Sequence, residues 1–183
     1  MNVRAMADYR FWVLLSLAIV LSGLVSVQTA RAEMFSPFLG KFEGHVDTEE
    51  GERDLTVEIV EEKRGFRVNW SARILKADGR EKERAYSVWF VKTERPGIYR
   101  SAVKPNAFGG FVPVDPMKGE PYSWVQIRGQ EMTMYALVVR DDGGYDMLSY
   151  KRQLTETGMH LSFSRVRDGK PLRGIDADLK RVN

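Results

Sequence analysis

Apolar and polar side chains alternate along most of this chain. The pattern is densest between residues 122 and 161, where runs at 122–128, 131–140 and 145–154 follow one another across short polar joints and a fourth begins at Met159. Alternation at period two with joints this short describes consecutive antiparallel strands, each paired to the next. Residues 66–74 divide most cleanly, with Phe66, Val68, Trp70, Ala72 and Ile74 on one face and Arg67, Asn69, Ser71 and Arg73 on the other. No helix of that length divides this way.

The same grammar predicts strands at 40–46, 55–59, 85–91, 98–103, 159–166 and 172–182. In 85–91, Tyr86, Val88 and Phe90 alternate with Ser87 and Trp89, so both faces are apolar enough to predict a strand covered on two sides. Lys63-Arg64-Gly65, Asp78-Gly79, Arg95-Pro96-Gly97, Asp141 to Gly144 and Asp168 to Pro171 supply the turns. The total is about ten strands in simple succession, more than an open twisted sheet usually carries before it curls. Closure removes exposed edges. The expected fold is therefore all-β, an up-and-down antiparallel meander closing into a barrel of about ten strands. A two-sheet sandwich competes, but short joints favour neighbour pairing over long crossovers.

Residues 105–121 break the rhythm with four prolines, three glycines, Phe108 and Phe111. Prolines so spaced cannot sustain a ladder, which predicts a long loop serving either as a binding mouth or as an apolar flap over a barrel end.

The first 32 residues stand apart. Arg4 and Arg10 mark a charged start, residues 11–25 are almost wholly apolar, and Ala30-Arg31-Ala32 places small residues where a signal peptidase reads them. This predicts a signal peptide over 1–32, cleaved before Glu33, and one domain over 33–183, located in the periplasm or secreted. An uncleaved anchor is the other reading; the apolar run is shorter than the ~20 residues of a spanning helix. There is no cysteine, so an exported domain here relies on packing without disulfides.

Charge adds little. The chain has 28 Lys and Arg against 25 Asp and Glu, and without the leader 25 against 24. A nearly neutral domain with no block of like charge does not imply a nucleic-acid partner. Charges on both strand faces, such as Arg128, Lys151 and Arg152, argue against an outer wall facing lipid.

Catalytic signatures do not stand out: there are two histidines, His45 and His160, and no nucleophile elbow, zinc-protease motif, phosphate loop or dinucleotide fingerprint. No enzyme, metal or cofactor is expected. An enzyme inside the barrel is a further class, one that requires a strongly perturbed titratable group there. Asp176 and Asp178 share a face of the last strand and read as solvated wall. A barrel this wide leaves more room than side chains readily fill, which suggests a cavity. An amphipathic ligand needs apolar walls and one or two polar anchors. The candidate ligand-binding set is Trp70, Tyr86, Trp124, Arg128, Tyr135 and Tyr150, with Phe108 and Phe111 at the mouth. Arg152 and Arg165 also lie in strands, and without strand registers the inward arginine is open.

Gly40-Lys41-Phe42 in the first predicted strand resembles the Gly-x-Trp opening of the calycins, the lipocalins and fatty-acid-binding proteins, with phenylalanine in place of tryptophan. That resemblance implies a basic residue of the last strand, Lys180 or Arg181, packed over the aromatic ring. Residues 39–44 also resemble the start of nitrobindin-type haem barrels, which implies a late histidine as haem ligand; only His160 could match. The expected function is an exported barrel binding a small apolar or amphipathic ligand. The alternatives are a solid barrel that binds a protein partner through its outer face or loop, and a haem-binding barrel.

Overall fold

The computed structural model describes residues 33–48, 51–76, 78–101, 104–105, 107–108, 111–172 and 174–182. The predicted leader lies outside them.

The chain folds as β1 (Gly40–Thr48), β2 (Gly51–Glu62), β3 (Gly65–Leu75), β4 (Glu81–Lys92), β5 (Ile98–Ser101), the short β6 (Lys104–Pro105) and β7 (Phe111–Val112), then β8 (Tyr122–Arg128), β9 (Glu131–Val139), β10 (Tyr145–Leu154), β11 (Gly158–Arg167), the short β12 (Lys170–Pro171) and β13 (Ile175–Val182). Ten of these form a ring. Each pairs antiparallel with the next in sequence, and β13 pairs with both β11 and β1, which closes the barrel. The meander expected from alternation and short joints is therefore the observed topology.

Closure depends on two glycines at the seam. A Cβ on Gly44 would stand 2.5 Å from the backbone oxygen of Asp178, and one on Gly158 would stand 1.9 Å from that of Leu179. Any side chain there would push β13 off a neighbour.

One end of the barrel is solid. Ser36–Phe38 forms a 3-10 turn that delivers Phe35 and Phe38 into the interior, where they are buried with Phe42, Phe66, Phe90 and Tyr99. The rings of Phe35 and Phe66 are 4.9 Å apart, and those of Phe66 and Tyr99 5.0 Å. Arg181 of β13 lies over Phe42, 4.5 Å from the ring centre, as the basic residue anticipated for the last strand. Its guanidinium also donates to the carbonyls of Pro37 and Leu39, tying the turn to the wall.

The wall is thinnest at β5, which joins β4 and β8 by three pairs on each side. Residues 81–89 of β4 pair with β3 and have no ladder on their other edge among the described residues. Side chains 81–87 are exposed on both faces, which corrects the expectation of a strand covered on two sides. Arg84 and Tyr86 lie opposite Ala72 and Trp70, on the inward parity, yet remain exposed, because the barrel is open beside them. Within the expected loop, β6 and β7 form a two-residue ladder and Pro116–Lys118 a 3-10 turn. Among the described residues no helix is long and apolar enough to cross a membrane.

Candidate functional site

The half of the barrel away from the phenylalanine plug holds a cavity of about 160 Å³ that opens to solvent beside Arg84 and Tyr86. Its aromatic wall comes from β3, β4, β10 and β11. Trp70 stacks on Tyr86 at 5.1 Å and meets Tyr150 at 5.5 Å, and Tyr150 meets Phe163 at 4.8 Å. These contacts follow from register: Trp70 pairs with Tyr86, and Tyr150 with Phe163, all on inward parity. Leu55 and Val57 of β2 add an aliphatic side.

Among the described residues Arg53, Arg84 and Arg152 also line this space. Arg152 is fully buried. It sits on β10 between Met132 of β9 and Leu161 of β11, and its Nη1 donates to the Tyr150 carbonyl at 3.4 Å. Its Nε and Nη2 have no hydrogen-bond partner among the described residues. Burial pulls this guanidinium down to about 10, with Tyr150 opposing the shift, so the group stays cationic at neutral pH. Desolvation likewise raises the Tyr150 phenol, which therefore stays neutral. No Asp or Glu is among the described residues that line the cavity.

Nearby interior charge is handled differently. Asp146 is buried and accepts from both Arg165 and Arg167. Those bonds, Arg165 first, hold its carboxyl well below the usual carboxylate range. The Asp146 carboxylate is paired with two guanidinium groups; Arg152 is a buried cation without a counter-charge among the described residues.

The sequence-derived candidates separate by strand face. Trp70, Tyr86 and Tyr150 line the cavity. Trp124 and Tyr135 do not: their inward neighbours are Val125 and Met134, and the two rings stack on each other at 5.1 Å on the outer wall. There Trp124 and Tyr122 border an open surface groove of about 840 Å³ with Lys92, Arg95 and Arg100. Arg128 is exposed at the end of β8. Phe108 is 96% exposed, and the Phe111 side chain lies outside the described residues.

His160 is also on the outer face. Its Nδ1 lies 2.7 Å from Asp178, while its chain neighbours Met159 and Leu161 are buried. It therefore does not supply an axial nitrogen to a group held in the interior. His45 is similarly external, 2.9 Å from Asp54, which raises its imidazole above the ordinary range. Among the described residues no group of three or more His, Asp or Glu side chains comes together as a metal site.

Arg152 was the residue sequence reasoning left unplaced. Its signal was parity: Leu148, Tyr150, Arg152 and Leu154 alternate with Met147, Ser149, Lys151 and Gln153, and the first set carries the larger apolar side chains. Arg53 and Arg84 were missed because β2 and β4 begin four residues earlier than the apolar runs at Leu55 and Ala85. Comparison with known proteins gives no match to a protein family, to a curated sequence or to a solved structure.

Proposed function

We propose that this chain is an exported β-barrel, periplasmic or secreted, that binds a small amphipathic molecule inside the barrel. The observation that carries this reading is the interior cavity walled by Trp70, Tyr86, Tyr150 and Phe163, with Arg152 buried at its side. An apolar ligand body packs against the aromatic wall, and an inward cation or hydroxyl fixes its polar end. A single ring that buries ~150 Å² gains ~4 kcal/mol at most, so after the cost of immobilising the ligand it binds no tighter than about 1 mM. Useful affinity therefore needs the polar anchor.

The resemblance to calycins is supported by the Arg181 contact with Phe42. Export is supported by the leader pattern over residues 1–32. Outward Lys41, Glu43, Glu58 and Lys151 suit an outer wall in water.

The test fills the cavity from its small position. Ala72→Phe should abolish binding of lipophilic fluorescent probes while the barrel stays folded by circular dichroism. Undiminished probe binding would place the ligand elsewhere.

A second reading, a protein partner at the loop, draws on the exposure of Phe108 and Met117 (80%). Phe108→Ser with Met117→Ser should then abolish partner cross-linking in cells and leave probe binding intact.

A further inference from the structure

We propose that the ligand is a small monocarboxylic acid, held by the Nε–Nη2 edge of Arg152 with its apolar body against Trp70, Tyr150 and Phe163. This rests on the interior-ligand reading and adds the charge, the chemistry of the head group and the size.

The head group follows from which donors are free. Nη1 of Arg152 is occupied by the Tyr150 carbonyl, and the two nitrogens left over, Nε and Nη2, share one edge of the planar guanidinium. Their N–H bonds run parallel, the fork that meets the two oxygens of a carboxylate in a bidentate pair. A guanidinium removed from water with two nitrogens that bond nothing is costly unless an anion arrives. The other interior carboxylate cannot serve, since Asp146 is held by Arg165 and Arg167. A ligand carrying one planar anionic group pairs with both of the nitrogens that have no partner in the empty barrel.

Monoanionic character follows from the number of buried cations. Among the described residues three arginines line the cavity, of which Arg152 alone is fully buried, whereas Arg84 is exposed and Arg53 half-buried. A dianion such as phosphate would bring in more charge than the one desolvated guanidinium offsets.

Size follows from volume. The cavity measures about 160 Å³, close to the ~150 Å³ space that accommodates benzene in an engineered apolar site. One aromatic ring or a short branched chain fits; a long acyl chain does not, except by leaving past Tyr86, which is 49% exposed at the open edge of β4.

The experiment is calorimetric titration of the purified protein with benzoate, benzyl alcohol, palmitate and inorganic phosphate, repeated on Arg152→Met. In the wild type, benzoate should bind at least tenfold more tightly than benzyl alcohol, and more tightly than palmitate or phosphate. In Arg152→Met the benzoate preference should vanish while benzyl alcohol still binds. Equal binding of benzoate and benzyl alcohol to the wild type, or tighter binding of palmitate or phosphate, overturns the assignment of a small carboxylate and leaves the interior-ligand reading standing. Failure of all four, together with failure of lipophilic probes, overturns both. Should Arg152→Met not fold, ¹⁵N spectroscopy of the wild type decides: the Arg152 Nε–H signal must shift and slow its exchange with water on adding benzoate, and an unmoved signal refutes the contact.

Discussion

Arg181 lies 4.5 Å over the ring of Phe42, and the same guanidinium donates to the carbonyls of Pro37 and Leu39. One side chain thus joins the first strand, the last strand and the N-terminal turn, at the end of the barrel sealed by Phe35 and Phe38. The cation-π contact is worth about 0.5–1 kcal/mol where exposed, and charge-assisted bonds to carbonyls add a similar amount at a wetted site. Arg181→Ala should lower the unfolding free energy by about 1–2 kcal/mol in urea titrations, and Arg181→Lys by less. An unchanged midpoint for Arg181→Ala would remove this contact from the account of closure.

The seam beside it leaves no room. Gly158→Ala places a methyl against the Leu179 carbonyl, where a Cβ stands 1.9 Å from the oxygen. Backbone must shift to admit it, at a cost of about 1–3 kcal/mol. Gly143, whose Cβ position meets nothing within 4 Å, is the control for space. Gly143→Asn, which tolerates its positive φ of 80°, should change the thermal midpoint much less.

The closing topology was legible from alternation because every ring strand except β5 joins the next through a short connection, so order in sequence is order in the ring. Facing was legible only where one face is polar. In β3, Arg67, Asn69 and Ser71 mark the outside without ambiguity. In β8 and β9 both faces carry large apolar groups, Trp124 and Tyr135 outside against Val125, Ile127, Met132 and Met134 inside, and composition does not choose between them. β4 misled for another reason: Trp89 and Tyr86 look like covered residues, but the shortness of β5 leaves one edge without a ladder among the described residues, a fact of tertiary pairing that no local pattern records.

Asp146 should make the barrel acid-sensitive. Its folded carboxyl holds a proton less tightly than in the unfolded chain, because Arg165 and Arg167 both donate to it. The stabilisation is therefore complete above about pH 4, the ordinary carboxylate range, and is lost as the pH falls from there and the unfolded chain takes up the proton first. Asp146→Asn should cost about 1.5–3 kcal/mol at pH 7 and flatten the loss of stability between pH 4 and pH 2. Parallel pH profiles of the two proteins, measured by chemical denaturation, would contradict this.

Arg152 should behave in the opposite sense to an ordinary core residue. Replacing even a buried ion pair with apolar side chains of similar volume is often neutral or stabilising by about 1–4 kcal/mol, and this charge has no counter-charge among the described residues. Arg152→Met should thus leave the empty protein as stable as the wild type or more so, by thermal denaturation, while it loses acid binding. A loss of more than about 2 kcal/mol would contradict this account of the empty barrel, and the response of the Arg152 Nε–H signal to benzoate would then decide whether an anion meets the guanidinium.

The leader makes a separate claim. N-terminal sequencing of the protein recovered from an exporting host should begin at Glu33, whose carboxylate pairs with Lys92 at 2.5 Å. A chain still carrying residue 1 would refute processing.

The central claim is that the interior is occupied by a small molecule, and native mass spectrometry of the protein purified from an exporting host tests it most directly. The account predicts a population heavier than the polypeptide by the mass of one small acid, recovered in an organic extract, and absent from Arg152→Met. A protein that emerges at its polypeptide mass, and stays there after incubation with benzoate and lipophilic probes, would contradict it.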